Sequence, residues 1–599
     1  MEKLDRKRAL KLRFRRHLHL QRRQVGEFSA QAEQRIENDV FKRLERLGNV
    51  RRFVISWFLL LALLIGVVIA QTRSLGQYYQ QLVPASGGTY TEGILGSFTN
   101  ANPIYATDTV DASVSKLIFA GLLTYDQNNH LVGDLADKWS VNDEGTVYTV
   151  HLRPNLTWQD GQPLTAEDVV FTYQVIENAD ARSPLYNSWQ GIRVVQVDKQ
   201  TVSFTLPNRL ASFPYSLTNG LVPKHLLVKV PMADMRTTAF NSNHPIGSGP
   251  FQWQAIELKG QASSASEERI ALKPFVGYQA GKPKLSNFVV RAFSDKSQLI
   301  SAFKKQQVNA IVGLTEIPPE LQNDKSLQAY NFPLTAAVMT FFRNSQPVLS
   351  DPRVRFALVS AADVPDILSG LKYATVQVRE PLLQGQLGYN PAIKQAGHNI
   401  AYANKLLDEQ GWVMKSDGIR YKDGVPLAFQ LSALDSGEYP SVANQLARQW
   451  RAVGADVKVV LSPDQATFQN ILAYHNYDAV LYGISIGVDP DVYVYWDSTQ
   501  ADVRAPVRLN LSEYTSKTAD ASLEAGRTRL DPALRAEKYK PFLQAWQADS
   551  PALGLYQPRF LYITHGPVYG LTEHPINSDV ERFTNVQNWA VRQARKTIN

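Results

Sequence analysis

The chain has 599 residues, 44% of them hydrophobic and 20% charged, which excludes a largely disordered, collagenous or coiled-coil protein. Because cysteine is absent, disulfides, thiolate metal sites, a cysteine nucleophile and a lipid anchor on an N-terminal cysteine are excluded. Residues 1–52 hold 16 Lys/Arg and 7 Asp/Glu, whereas the rest of the chain holds 47 and 48. This nearly neutral remainder argues against a nucleic-acid partner.

The first pattern along the chain is an uninterrupted apolar run over residues 53–70, FVISWFLLLALLIGVVIA. At 1.5 Å per residue, a helix of this length reaches about 27 Å, close to the hydrocarbon thickness of a bilayer. Basic residues crowd its N-terminal side, so the positive-inside rule predicts a cytoplasmic tail over 1–52 and an external body. A cleaved signal peptide is the alternative, but its basic region would be unusually long.

The segments on either side of this run have weaker patterns. Apolar residues at helical spacing between Ser29 and Leu47 predict a basic amphipathic helix, which could lie on anionic lipid or be simply solvated. Residues 71–86 are mostly polar, contain Pro84 and are followed by Gly87 and Gly88. We interpret them as a stalk or linker.

The body mixes short strands with helices, which indicates an α/β or α+β fold. Alternating residues predict strands over Thr146–Leu152 and Thr201–Leu206. Helices are predicted over Ala401–Gln410 and Ser441–Val453, each followed by a glycine suited to a left-handed helix end. After the second of these, Ala455–Leu461 is predicted to be a strand.

A further helix is predicted to begin after Thr165. Its side chain can accept from the free amides of the first turn, while Asp168 reaches back to the amide of Thr165. This is a capping box with aspartate in place of glutamate.

A search for catalytic chemistry finds one motif, Gly483-Ile-Ser-Ile-Gly487, which matches the GxSxG nucleophile pattern at Ser485. His565 or His574 could complete a triad. The mechanism requires a sharp strand-to-helix turn at the serine. Because Tyr477–Ile486 is predicted to be one continuous strand, catalysis by Ser485 is disfavoured.

Metal and cofactor chemistry also lack a pattern. The ten histidines form no HExxH motif and no i, i+4 pair, and no glycine-rich phosphate loop occurs. The segment DPDVYVYWD gathers Asp489, Asp491 and Asp497, but without the spacing of a calcium loop. We interpret these aspartates as loop caps or as electrostatic partners for a ligand amine, and we expect no cofactor.

Several stretches in order resemble the extracellular solute-binding proteins of the peptide/nickel class that serve ABC importers. The densest is residues 148–171, YTVHLRPNLTWQDGQPLTAEDVVF. Shorter matches are IFAGLLTYD at 118–126, PIGSGPF at 245–251, DPRVRFAL at 351–358, NKLLDEQGW at 404–412, QWRAVG at 449–454 and YDAV at 477–480. The resemblance covers about residues 87–565.

The resemblance implies an α/β, two-lobed periplasmic-binding-protein-like fold of type II with an extra subdomain, here preceded by one transmembrane helix. The first lobe is expected over residues 87–292 and 566–599, and the second over 293–565. Such proteins close around their ligand by a hinge. We therefore expect a binding protein, not an enzyme.

Members that bind peptides hold them as an extra strand, so backbone hydrogen bonds give affinity without reading side chains. The resemblance places the ligand against an early loop and the strand and loop near position 485. The residues expected to contact ligand are Thr99, Asn100, Tyr482, Ile484, Ser485, Ile486, Asp489, Asp491 and Trp496. Trp496 fits core packing equally well.

One departure from the family concerns the ligand's amino group. Peptide-binding members often carry an aspartate about three residues before the Asp/Glu-Pro pair, and here that position is Ile486. Blocked peptides, peptides bound in mid-chain or another ligand such as a metal chelate, haem or an oligosaccharide become more plausible.

The implied partners are a short peptide, the permease and ATPase subunits of an ABC importer and the membrane through residues 53–70, with the protein itself a monomer. The expected location is the cell membrane, with the body extracellular or periplasmic. A ligand sensor or scaffold that signals through the basic tail is the alternative.

Overall fold

A computed structural model of the chain describes residues 51–259, 267–371, 373–502, 504–505 and 508–597. Most of the predicted basic tail, including the amphipathic helix over Ser29–Leu47, lies outside the described residues. The body, Pro84–Arg592, forms one compact unit.

The described helices and strands alternate along the body, as expected of an α/β protein. The helices are α1 (Arg51–Tyr79), α2 (Thr109–Ile118), α3 (Ala166–Glu177), α4 (Tyr186–Trp189), α5 (Lys224–Leu227), α6 (Lys296–Lys304), α7 (Pro352–Ala361), α8 (Val364–Ser369), α9 (Ile400–Glu409), α10 (Tyr439–Arg451), α11 (Gln465–Ala473), α12 (Tyr493–Trp496), α13 (Lys517–Thr528) and α14 (Pro532–Asp549). The strands are β1 (Gln80–Ala85), β2 (Thr89–Leu95), β3 (Leu123–Tyr125), β4 (Leu131–Gly133), β5 (Ala136–Val141), β6 (Val147–Leu152), β7 (Arg193–Gln196), β8 (Thr201–Thr205), β9 (Phe251–Lys259), β10 (Glu267–Pro274), β11 (Asn287–Phe293), β12 (Ala310–Val312), β13 (Leu327–Pro333), β14 (Ala336–Phe342), β15 (Val413–Met414), β16 (Arg420–Lys422), β17 (Val425–Pro426), β18 (Ala428–Leu434), β19 (Asp456–Ser462), β20 (Ala479–Ser485), β21 (Ala552–Tyr556), β22 (Arg559–His565) and β23 (Arg592–Thr597).

The apolar run lies in α1, as predicted. Within the stretch Phe53–Arg73 of α1, the most apolar window of 18 residues has a mean hydropathy of 2.9, and none of this window is buried. By length and composition it can cross a membrane, although a signal sequence near an N-terminus has the same properties.

Residues 71–86, the predicted stalk or linker, form regular secondary structure over most of their length. Helix α1 continues through the polar residues after position 70, where no proline interrupts it, and the hydroxyl of Thr72 donates to the carbonyl of Val68 (2.8 Å). The following residues form β1, which pairs with β23 in a two-stranded sheet.

The first lobe is built on a mixed seven-stranded sheet in the order β13-β22-β12-β2-β11-β10-β9. Its centre, β2, runs parallel to both β11 and β12. One face of the sheet shares a large apolar core with the four-stranded sheet, and the other face packs on α6.

The first lobe also contains an antiparallel four-stranded sheet in the order β5-β6-β8-β7. Strand β6 alternates buried and half-buried residues, as its sequence pattern predicts. Helix α3 packs against this sheet, and Thr165 and Asp168 form the predicted capping box. The sequence prediction is confirmed here because both patterns are local.

The second lobe is built on a five-stranded sheet in the order β19-β18-β20-β14-β21. Apolar clusters cover both of its faces. Helices α9 and α10 form where predicted, and the glycines after them, Gly411 and Gly454, have φ angles of +81° and +88°.

The boundary between the lobes differs from the sequence expectation of 293 and 565. Strands β12, β13 and β22 hydrogen-bond within the first sheet, so residues 310–333 and 559–565 belong to the first lobe. The chain crosses from one sheet to the other at residues 334–335 and returns at 557–558. The error arose because these pairings join segments more than 200 residues apart.

Candidate functional site

Strand β20 of the second lobe is paired along its whole length on one side only. On that side, Ala479–Ser485 is in register with Ala336–Phe342 of β14. On the other side, β18 pairs with it only at Ala479 and Val480. Residues 481–485 therefore present an edge with no described strand partner, which we call the open edge.

Hydrogen bonds at the two ends of β20 show which of its residues bond to β14. The amide of Ile486 donates to the carbonyl of Thr335 (3.0 Å), and the amide of Arg343 donates to the carbonyl of Asp478 (2.9 Å). Because bonding alternates along an antiparallel pair, even-numbered residues of β20 face β14. The amide and carbonyl groups of Gly483 and Ser485 consequently point toward the open edge, where an extended chain could add as a strand.

Two tyrosines approach the open edge. A Cβ atom built on Gly483 would lie 3.0 Å from the Tyr439 hydroxyl, so glycine permits this close approach. The hydroxyl of Tyr495 donates to the carbonyl of Ser485 at 2.5 Å. The edge is thus bordered by groups that can form hydrogen bonds.

The predicted site residues on this strand differ in exposure. Tyr482 is half-buried and its ring lies 6.0 Å from that of Phe468, whereas Ser485 is exposed. Ile484 and Ile486 are buried in the core of the second lobe. The backbone groups of both isoleucines face β14, and the amide of Ile486 is bound to Thr335, so neither residue offers a group to the open edge.

The predicted acidic residues after the strand are both neutralised by arginines. Asp489 accepts two hydrogen bonds of 2.8 Å from Arg535, and both side chains are buried. Burial lowers the pKa of Arg535, but the hydrogen bonds and charge of Asp489 outweigh it, so the net pKa is raised. Asp491 lies 3.2 Å from Arg527.

This acidic loop also joins the two lobes. The hydroxyl of Ser212, from the first lobe, donates to Asp491 at 3.1 Å, and the amide of Ala211 donates to the carbonyl of Arg527 at 3.0 Å. Nearby, the rings of Tyr125 and Tyr215 stack with centroids 6.4 Å apart. Burial first, and then the negative charge of Asp489, raises the pKa of Tyr215.

Asp497, the third aspartate of this segment, caps the turn that follows by accepting from the amide of Thr499 at 2.9 Å. This fits the interpretation as a loop cap. Among the residues that the structure describes, no group of three or more His, Asp or Glu side chains could hold a metal ion.

The geometry around Ser485 does not fit a nucleophile. Strand β20 ends at the serine, and the next helix, α12, begins at Tyr493. His565 donates to the carbonyl of Phe303 at 2.7 Å, and buried His574 lies 2.9 Å from the carbonyl of Thr572. In the described part of the chain neither histidine forms a hydrogen bond with Ser485.

The other predicted contacts have structural roles. Thr99 is exposed, and its amide and hydroxyl both donate to Asp111, at 2.7 and 2.6 Å. Asn100 is buried and accepts from the amide of Asn102 at 2.8 Å. Trp496 is fully buried in the core of the second lobe, as its alternative interpretation predicts.

A cavity of about 380 Å³ lies between the two lobes. The first lobe lines it with residues 312–315 and 559–561 and with Asp579, and the second lobe lines it with Glu438 and Tyr439. Tyr439 also approaches Gly483, so it connects the cavity with the open edge.

Glu438 is one of the two carboxylates that line this cavity. Its Oε1 accepts from the hydroxyls of Tyr373 (3.0 Å) and Tyr556 (3.1 Å). Burial, followed by the charge of Glu438, raises the pKa of both tyrosines, so both hydroxyls remain protonated donors. The guanidinium of Arg559 lies 3.9 Å from the ring centroid of Tyr373.

Sequence reasoning missed Glu438, Tyr439, Arg559 and Asp579. One signal was present, because Glu438 follows β18, which runs parallel to β19 and β20. Ligands of α/β sheets commonly bind beyond the carboxyl ends of parallel strands. Asp579 had no comparable signal, since only the tertiary fold brings it to the cavity.

Comparison with known proteins identifies the class. The profile of the bacterial extracellular solute-binding proteins, family 5 (middle), matches residues 130–504. The oligopeptide-binding protein AppA of Bacillus subtilis is 24% identical over 515 residues, which cover 84% of this chain and 92% of AppA.

Two solved structures share the fold. NikZ from Campylobacter jejuni, in complex with Ni(L-His), has 25% identity and a TM-score of 0.69, covering 84% of this chain and 99% of NikZ. AppA of Bacillus subtilis in complex with a nonapeptide has 24% identity and a TM-score of 0.66, covering 85% and 100%. These comparisons confirm the two-lobed α/β fold, and the chain belongs to the bacterial extracellular solute-binding proteins of family 5, which are binding proteins and not enzymes.

Proposed function

We propose that this protein captures extended peptides between its two lobes and delivers them to an ABC importer. The observation that carries the proposal is the open edge at residues 481–485, next to a cavity lined by both lobes. Backbone groups of Gly483 and Ser485 would pair with a peptide backbone, so affinity would depend little on peptide sequence. The similarity to AppA, whose structure contains a nonapeptide, supports the same ligand class.

A pair of substitutions at one position tests strand addition. Ser485→Pro removes an amide that faces the open edge but leaves the bonds to β14 intact, so we expect peptide affinity to fall about tenfold. Ser485→Ala keeps the amide and should change affinity less than twofold. Equal affinities for both variants, measured by calorimetry on the full chain in detergent, would contradict strand addition.

The cargo class itself is tested by mass spectrometry of molecules that co-purify with the full chain from its own cells. We expect short peptides of varied sequence. Recovery of a metal chelate, haem or an oligosaccharide without peptide would overturn the peptide assignment.

We further propose that α1 stays attached and anchors the protein in the cell membrane as a single span, with the body outside. The support is the length and hydropathy of Phe53–Arg73 and the basic residues before it. Tethering would hold a monomeric binder close to its permease at high local concentration. Intact-mass measurement of the mature protein tests this, because a cleaved signal peptide would remove residues up to and including the apolar stretch.

Deletion of residues 1–45 tests whether the basic tail is needed for transport or for signalling. We expect peptide uptake in cells to remain once the truncated protein reaches the membrane. Unchanged uptake combined with loss of a cytoplasmic interaction would favour the sensor alternative as an additional role.

A further inference from the structure

The cleft contains two groups of carboxylates that differ in their counterions. In the loop after β20, Asp489 and Asp491 are each paired with an arginine of the same lobe. A ligand ammonium group would have to displace a guanidinium to reach either of them. These two aspartates therefore have little capacity to recognise a cation.

The carboxylates on the cavity between the lobes are not paired in this way. In the described part of the chain, no basic nitrogen lies within 4.0 Å of a carboxylate oxygen of Glu438 or Asp579. Arg582 donates to the backbone carbonyl of Asp579 at 2.6 Å. The charge of Glu438 acts on Arg559, and that of Asp579 on Arg582, only at longer range. The carboxylate of Asp579 has no described side-chain or backbone donor, and Glu438 is bonded only through Oε1. Both residues line the same cavity, one from each lobe.

We propose that the cavity of about 380 Å³ is a subsite for a positively charged group of the cargo, held by Glu438 of the second lobe and Asp579 of the first. The inference rests on the proposed peptide-binding function and specifies its ligand: an ammonium or guanidinium group. The two tyrosine hydroxyls fix the Glu438 carboxylate in place while leaving Oε2 without a described donor. A cation that contacts both carboxylates would also favour the closed arrangement of the lobes.

Arg559 is the one described basic residue that lines this cavity, and it forms no ion pair with either carboxylate of the cavity. Its guanidinium stacks on the ring of Tyr373 and donates to Asn331 and to the carbonyl of Thr315. With two carboxylates and one guanidinium, the lining keeps a negative balance, which favours a cation over an anion.

The test compares capped hexapeptides, acetylated and amidated, that carry one lysine or one norleucine at each position in turn. Lysine and norleucine have similar aliphatic chains, so the affinity ratio isolates the charge. For the full chain we expect lysine at one position to bind about tenfold more tightly. Glu438→Gln and Asp579→Asn should each remove most of this preference, whereas exposed Asp435→Asn removes the same charge outside the cavity and should keep it.

The source of the cation is tested with the norleucine peptides carrying a free amino terminus. If the free amine gives the gain in affinity and Glu438→Gln removes it, the proposal holds with the peptide terminus as the cation. Thermal unfolding of each variant checks that the fold is retained.

Two outcomes would overturn the proposal. Norleucine peptides that bind as tightly as lysine peptides at every position, with or without a free amine, would show no cation subsite, although peptide binding itself would stand. A cation preference that survives both Glu438→Gln and Asp579→Asn would place the subsite elsewhere. If no hexapeptide of any form binds, the proposed function fails and the subsite with it.

Discussion

The loop after β20 and the cavity between the lobes both place carboxylates near the cleft, but the protein treats their charges differently. Asp489 is buried and bonded twice to Arg535. The carboxylate of Asp579 in the cavity forms no ion pair within 4.0 Å among the described residues, and its charge acts on Arg582 only at longer range. A buried charge is costly unless it is paired, so in the first arrangement Arg535 offsets the cost of burying Asp489. The second arrangement leaves negative charge available to a ligand. The difference separates carboxylates that hold the structure from those that can select cargo.

The largest effect should come from breaking the buried pair. Arg535→Met leaves Asp489 charged and unpaired, and we expect a loss of about 3–5 kcal/mol in the free energy of unfolding. Denaturant unfolding measures it. The double variant Arg535→Met with Asp489→Asn removes the stranded charge and should recover part of the loss. Equal losses in the single and double variants would show that the charge of Asp489 is not the cause.

Glu380 sharpens the comparison, because it is a buried carboxyl with neither an arginine nor access to the cavity. Its Oε1 accepts from the amide of Asn390 at 3.1 Å, and its Oε2 has no hydrogen-bond partner among the described residues. Burial raises the pKa of Glu380 to about 8, so the folded protein holds this proton at neutral pH.

The sign of the pH dependence follows from that raised pKa. Between about pH 4.5, where an unfolded glutamate titrates, and about pH 8, the folded state binds more protons and stability falls as pH rises. Glu380→Gln needs no proton, so we expect it to be a few kcal/mol more stable than the parent chain at pH 8. Thermal unfolding at pH 5 and pH 8 measures this. An equal difference at both pH values would contradict it.

A smaller effect is expected at the half-buried pair that Asp491 of the same loop forms with Arg527 of α13. Arg527 lies 3.2 Å from Asp491 and its guanidinium lies 4.2 Å from the ring centroid of Tyr493. Arg527→Gln should cost about 1 kcal/mol in unfolding free energy, because both interactions are partly solvated. Arg527→Lys keeps the charge and should cost less. A loss as large as that of Arg535→Met would contradict the assignment of the weaker pair.

The smallest effect on stability is expected in the cavity. Glu438→Gln keeps an oxygen that can accept from Tyr373 and Tyr556, so its unfolding free energy should change by less than about 1 kcal/mol. Denaturant unfolding in the absence of peptide measures it, with Asp435→Asn as the control. A loss above 3 kcal/mol would place Glu438 among the structural carboxylates and remove it from the ligand site.

Local patterns in the sequence predicted much of the fold. The capping box at Thr165 and Asp168 and the helices closed by Gly411 and Gly454 depend on residues within one helix. The order of motifs predicted the family, and with it the two-lobed architecture. Each of these depends on short stretches of chain that can be interpreted without knowing the tertiary contacts.

The charge pattern of the cleft could not be predicted in this way. Arg535 is 46 residues from Asp489, and nothing in either segment indicates that they meet. Glu438 and Asp579 line the same cavity but belong to different lobes. The lobe boundary was placed wrongly for the same reason, because β22 returns to the first sheet only in three dimensions.

Thr335 lies in the first chain crossing and forms hydrogen bonds with both lobes. Its carbonyl accepts from the amides of Ile486 and Gly487, and its own amide donates to the carbonyl of Ile576 in the first lobe at 2.8 Å. Thr335, which lies in the crossing over residues 334–335, therefore connects the end of β20 with the first lobe. A rotation of one lobe against the other has to change these hydrogen bonds or the backbone around Thr335, so the end of β20 is coupled to the position of the first lobe.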